Sequence, residues 1–170
     1  MLKKKLEQQI NDIRDPLLFM AYQSEGHAIN RHVLTNDELR RALWIKPKPK
    51  DKDDIVMVTR FQSKEKALEI IANTLLKNSD VIEKWLLSDN EGDLAVSATY
   101  RDATGDGLVK NTDWTKVIPV HSAMVVIRKN FTVIGRSFVV VTAYPLRSFD
   151  DIDAIYEAID DYVNKKISKK

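Results

Sequence analysis

The chain has 170 residues, 44% of them apolar and 31% charged, with a formal net charge of +2 and no cysteine. Such a composition fits a globular chain with enough length for one hydrophobic core, read here as a single domain over 1–170. It excludes disulfides, thiolate zinc sites, thiol nucleophiles and a broadly basic nucleic-acid binder, and no apolar run reaches the length of a membrane span. The start is basic at Lys3–Lys5, but Leu6–Arg14 is polar where a signal peptide would turn apolar, so none is expected. Further lysines cluster at Lys46–Lys50 and Lys165–Lys170, and these clusters read as solvated segments before they read as phosphate sites.

In chain order, Leu2, Leu6, Ile10 and Ile13 recur at helical spacing, so Leu2–Arg14 is expected to be an amphipathic helix. Asp15 and Pro16 suit the cap and first position of a second helix, with Leu17–Ser24 as a core segment that Gly26 ends. His27 and His32 follow, five residues apart. Histidine is the side chain whose unperturbed pKa lies near neutrality, so a pair suits proton transfer without a metal. On a continuous helix the two would point about 140° apart, which favours one catalytic imidazole and one that braces the backbone. As plain structure, one would fill a helix and the other lie at the surface.

Thr35-Asn36-Asp37-Glu38 is a capping box for a short helix, Asn36–Leu43, that carries Arg40 and Arg41. Their planar, permanently charged donors suit a phosphate or a phosphorane; an exposed pair at a helix C-terminus is the structural alternative. Trp44–Lys52, rich in proline and lysine, reads as an exposed loop. Ile55–Phe61 is a β-branched strand, Ser63 caps a helix over Lys64–Lys77, and Asp80–Leu87 is a further helix anchored by Trp85.

Asp93–Tyr100 alternates like a half-buried strand, and Asp102–Gly107 reads as a hairpin turn with a superficial echo of a calcium loop. Strands follow at Lys116–Val120 and Ser122–Lys129, with His121 between them as a hinge or surface histidine ahead of a third catalytic candidate. Ser137–Pro145 is the strongest strand. Alternation puts Phe138, Val140, Thr142 and Tyr144 on one face and Val139, Val141 and Ala143 on the other. Thr142 and Tyr144 then hold two hydroxyls about 7 Å apart at a strand end where Pro145 stops pairing. Ser148–Asp151 caps a last helix over 148–164, with Ile152, Ile155, Tyr156, Ile159, Tyr162 and Val163 as its buried stripe and Asp153, Glu157, Asp160 and Asp161 outside.

Two separated stretches, Gly26-His27-x4-His32-Val33 with its Asp/Glu-Leu-Arg helix and the closing Thr142-Ala143-Tyr144-Pro145, resemble one family. It is that of the bacterial RNase A-like toxin domains at the C-termini of contact-dependent growth inhibition and related polymorphic toxin proteins. The strand ending near Phe61, the helix Lys64–Lys77 and the Trp85 helix fit as well, so the resemblance spans about residues 22–145. It implies an α+β fold in which N-terminal helices lead into a kinked or split antiparallel sheet, RNase A-like, with 148–164 as an extra C-terminal helix.

The resemblance also implies a metal-independent endoribonuclease with no cofactor, exported within a larger cell-surface or secreted protein. It would act on RNA, transfer RNA being the expected target, in the cytoplasm of a competitor and be blocked by a cognate immunity protein. Carried over by position, the catalytic set falls on His32 or His27, Arg40 or Arg41, Thr142 and Tyr144. The slot before the helix-ending leucine, where the family keeps its arginine, is Ala42 here, which leaves the choice between the two arginines open. The rival from another class is a non-enzymatic protein-binding module such as an immunity protein, which the acidic last helix would suit. A carboxylate-based metal nuclease ranks lower, because the acidic residues lack ligand spacing.

Overall fold

A computed structural model describes residues 2–23, 31–50, 54–130 and 137–168. In chain order the helices are α1 (Leu2–Asp12), α2 (Pro16–Phe19) with a 3₁₀ turn at Met20–Tyr22, α3 (Asn36–Ile45), α4 (Lys64–Lys77), α5 (Ser79–Leu87) and α6 (Phe149–Ser168). The strands are β1 (Met57–Arg60), β2 (Leu94–Thr99), β3 (Gly105–Val109), β4 (Ile118–Val120), β5 (Ser122–Lys129) and β6 (Phe138–Leu146). They form two antiparallel three-stranded sheets, ordered β1-β3-β4 and β2-β5-β6. This is the expected α+β fold with a split sheet and a C-terminal helix. Among the described residues no helix is long and apolar enough to cross a membrane.

Each sheet has its own apolar partner. Leu6 and Ile10 of α1, Leu68, Ile71 and Leu75 of α4, and Ile82 and Trp85 of α5 pack on Val96, Val125, Ile127, Phe138 and Val140 of the β2-β5-β6 sheet. The small sheet lies between two helices. Leu108 packs with Leu39 and Leu43 of α3, while Met57, Val109, Ile118 and Val120 pack with Ile155 of α6.

Local signals set the helix ends. Thr35 Oγ1 accepts the Glu38 amide at 3.2 Å and donates to Glu38 Oε1 at 3.0 Å, and Ser63 Oγ accepts the Lys66 amide at 3.1 Å. At α6 the reciprocal pair is Ser148 and Asp151. The Asp151 amide donates to Ser148 Oγ (3.2 Å), and the Ser148 amide donates to Asp151 Oδ2 (2.8 Å).

Four expectations need correction. Of the core helix expected over Leu17–Ser24, the described residues 17–23 form only the rest of α2 and a 3₁₀ turn, with Leu17, Leu18 and Met20 exposed and Phe19 and Tyr22 buried; so short a helix has no continuous apolar stripe to turn inward. α3 runs through Trp44 and Ile45, shortening the expected loop. The α6 stripe is thinner than its periodicity suggests: Ile155 alone of the six is buried, and Val163 is exposed. A 20-residue helix is about 30 Å long, whereas three strands at ~4.8 Å spacing make a sheet far narrower, so the helix overruns it.

Asp102–Gly107 is not a hairpin turn, nor a calcium loop. Gly105 and Gly107 lie inside β3, which pairs with β1 and β4, while β2 pairs with β5. The segment therefore carries the chain from one sheet to the other. Its glycines answer a close approach: a Cβ on Gly105 would collide with the Arg60 carbonyl and fall 2.6 Å from Pro145 Cγ, and one on Gly107 would fall 2.5 Å from the Val58 carbonyl.

Candidate active site

The site lies where the two sheets meet. Thr59 Oγ1 on β1 donates to the Pro145 carbonyl on β6 at 2.6 Å, which clamps the end of one sheet to the end of the other. The segment before α3 is tied to the same corner. The Phe61 amide donates to the His32 carbonyl at 2.6 Å, and Arg60 Nη1 donates to the Leu34 carbonyl at 3.1 Å while its Nε pairs with Asp106 at 2.7 Å. The backbone at His32 is thus held by Phe61, and that at Leu34, two residues on, by the Arg60–Asp106 ion pair.

Across the corner stands Tyr144, its ring centre 5.5 Å from that of His32 with planes tilted by 42°. How Tyr144 comes to face outward is a matter of register. Val126 opposes Thr142 and Ile127 opposes Val140, so Val141 is an extra residue, a bulge. The bulge shifts the alternation by one. Phe138, Val140, Ala143 and Pro145 are buried, whereas Thr142, Tyr144 and Leu146 are half-buried on the other face. The expected grouping of Phe138 and Val140 with Thr142 and Tyr144 is therefore corrected: the hydroxyl residues share a face with Val139 and Val141. Nor does Pro145 stop the pairing, since it opposes Ala123 and the strand continues to Leu146; β6 is an edge strand, where a missing N–H is tolerated.

His32 and Tyr144 line a cleft of about 1140 Å³ together with Arg31, Arg41, Lys46 and Arg147. Glu38 is the carboxylate among the described lining residues, and it accepts from Thr35. A cleft with four cations around an imidazole and a phenol suits a phosphodiester. Burial holds the His32 imidazole below its ordinary pKa, and the Arg31 charge adds to the effect. Both influences favour the neutral form of the ring.

The structure separates candidates that the sequence left together. Arg41 and Ala42 line the cleft. Arg40 points away from it, pairs with Asp37 at 3.3 Å and lies 4.8 Å from the centre of the Trp114 ring. Thr142 shares the face of Tyr144 but is not among the residues lining the cleft. His27 lies outside the described residues. His121 has a structural role: its Nδ1 lies 2.6 Å from Asp151 Oδ1, and its amide donates to Oδ2 at 2.8 Å, which ties the β4–β5 corner to α6.

Sequence reasoning did not find Arg31, Arg147 or Thr59, and it read Lys46 as part of a solvated loop. Arg31 adjoins the histidine directly and Arg147 lies two residues past the Tyr-Pro pair, and that nearness was the available signal.

Residues 26–145 match the family described as the bacterial CdiA-CT RNAse A domain. The fold is similar to that of a chain in the crystal structure of a CdiA-CT/CdiI complex from Y. kristensenii 33638, with a TM-score of 0.58 and 20% identity over 71% of this chain and 99% of that one. No curated protein matches the chain.

Proposed function

Because the chain belongs to the bacterial CdiA-CT RNAse A domain family, we propose that it is a toxin that cleaves RNA by attack of the substrate's own 2′-hydroxyl, without a metal. The observation that supports this reading best is the His32 imidazole sharing one cleft with Tyr144, Arg41 and Arg147. RNA carries its nucleophile, so the enzyme must supply a base, charge for the pentavalent phosphate, and an acid for the leaving oxygen.

His32 takes the 2′-hydroxyl proton as the 2′-oxygen bonds to phosphorus. Arg41, with Arg147 nearby, stabilises the charge on the phosphorane. The bond to the 5′-oxygen breaks, and the Tyr144 hydroxyl supplies its proton. Thr142, one step along the same strand face, hydrogen-bonds a base or phosphate beyond the cleft. His27 is the other imidazole in the assignment, and substituting each histidine alone separates their roles.

Transfer RNA is the substrate to test first. Delivery within a larger exported protein, action in the target-cell cytoplasm and neutralisation by a cognate immunity protein belong to the same proposal; the last draws support from the CdiA-CT/CdiI complex named for the similar structure. Residues 22–145 form the catalytic core in this reading, and 148–164 an addition that braces the small sheet.

The experiment is to incubate the protein with total RNA in EDTA and map the fragment ends. The reading expects 2′,3′-cyclic phosphates and 5′-hydroxyls. Cleavage abolished by EDTA and restored by Mg²⁺ would overturn it.

A further inference from the structure

On the face of α3 next to the cleft, three aromatic residues from three elements line a second cavity of about 510 Å³: Trp44 from α3, Trp114 from the β3–β4 connection and Tyr162 from α6. Two tryptophans left 87% and 61% exposed are unusual in a folded domain, where large aromatic rings are mostly covered. Nor is the surface around them simply apolar. The Arg40 guanidinium sits 4.8 Å from the Trp114 ring centre and Lys166 Nζ 5.1 Å from that of Tyr162, and Lys110 and Arg41 complete the rim.

The dish is held in shape. Lys110 Nζ donates to the carbonyls of Leu43 (3.4 Å) and Lys46, which fastens the β3–β4 connection to the end of α3. Asn111 takes a left-handed turn at φ 70° beside it. Two nearby carboxylates are engaged: Asp37 pairs with Arg40, and Asp113 accepts the Thr115 amide and hydroxyl.

Flat aromatic faces interleaved with cations are the chemistry that holds unpaired nucleobases and their phosphates. Arg41 lines both this cavity and the catalytic cleft, so a strand with a phosphate at Arg41 has its neighbouring nucleotides at the rings. We propose that Trp44, Trp114 and Tyr162 form a base-stacking subsite for single-stranded RNA flanking the bond that is cleaved. The inference rests on the ribonuclease reading for the identity of its ligand and is tested apart from it.

The probe is a short single-stranded oligodeoxynucleotide, which offers bases and phosphates but no 2′-hydroxyl to be cleaved. Titrated into the protein, it should quench tryptophan fluorescence to saturation, because Trp44 and Trp114 are open to it while Trp85 is buried. Trp44→Ala and Trp114→Ala should each weaken binding about tenfold, in line with the loss of one stacked base. Trp114→Phe, which keeps a ring, should restore most of it, and both alanine variants should keep the wild-type unfolding midpoint. A longer RNA substrate should show a raised KM in the alanine variants, and a dinucleotide too short to reach the rings should not.

Quenching without any RNA cleavage would leave the subsite standing and remove the nuclease reading. Dinucleotide cleavage with oligonucleotide binding indifferent to both alanine substitutions would remove the subsite alone. Variants unaltered toward nucleic acid but weakened toward an immunity protein would overturn the inference in favour of a protein-docking surface.

Discussion

An imidazole shifted down by burial is deprotonated before the pH reaches neutrality, and that is the property a general base needs. For His32 the sign follows from the cause. Burial, reinforced by Arg31, disfavours the charged form, so the folded protein binds this proton less tightly than the unfolded chain does. Stability from this residue is whole above the ordinary imidazole value and is lost as the pH falls below it. Activity follows the neutral form: the acid limb of kcat/KM should lie below 6.5, the ordinary value, and Arg31→Gln should move it partway back up. An acid limb above 6.5 would contradict the assignment. The two arginines differ as sharply. Arg41→Ala should lower kcat about 10²-fold or more, the scale of losing a group that stabilises transition-state charge, whereas Arg40→Ala should leave dinucleotide turnover within a few-fold. At this scale the sequence was partly legible. His32 and Tyr144 stood out by residue type and by their resemblance to a known pattern. Adjacent arginines on one helix cannot be told apart until the small sheet claims Leu39 and Leu43 and so fixes which way each points.

At the scale of elements, caps were readable and pairings were not. Ser63, Thr35 and Ser148 act on amides three residues away, so their effect is written locally. The bulge at Val141 and the passage from β2 to β3 depend on strands far off in sequence, and periodicity alone gives the wrong face and the wrong partner. Two substitutions test these elements. Gly105→Ala would drive a methyl into the Arg60 carbonyl and Pro145, prying apart the corner that carries His32 and Tyr144; it should cost about 1–3 kcal/mol, the usual range for overpacking, and lower activity beyond its effect on folding. Asp151→Asn addresses α6. Burial on its own would raise the Asp151 carboxyl, but hydrogen bonds from the Ser148 amide and from the ring and amide of His121 outweigh it and hold the carboxyl below its ordinary value. That stabilisation is present above the ordinary carboxylate pKa and lost as the pH falls through the lowered one. The variant should therefore be about 1–3 kcal/mol less stable by urea unfolding at neutral pH, with a deficit that shrinks in acid. A deficit independent of pH would show that the charge is not what matters.

For the whole molecule, the split sheet is the device that makes a cleft. A single continuous sheet would present a face; two short sheets meeting at Thr59 and Pro145 present a corner, with the pre-α3 segment laid across it. α6 steadies the small sheet from behind through Ile155, and α3 turns Arg40 to the aromatic dish alone and Arg41 to the edge that the dish shares with the cleft. The α+β class, most of the helices and the terminal position of the hydroxyl strand were legible from the chain, whereas the corner was not, because it exists only once both sheets are assembled. In the proposed function this corner cleaves RNA with the substrate's own 2′-hydroxyl and His32 as base. The most direct measurement uses an oligodeoxynucleotide carrying a single ribonucleotide, in EDTA, with wild type and a His32→Ala variant of equal unfolding midpoint. Cleavage is expected only on the 3′ side of the ribose, slowed about 10²–10⁴-fold in the variant, in line with loss of a general base. Cleavage at deoxynucleotide positions, or equal rates for the two proteins, would contradict it.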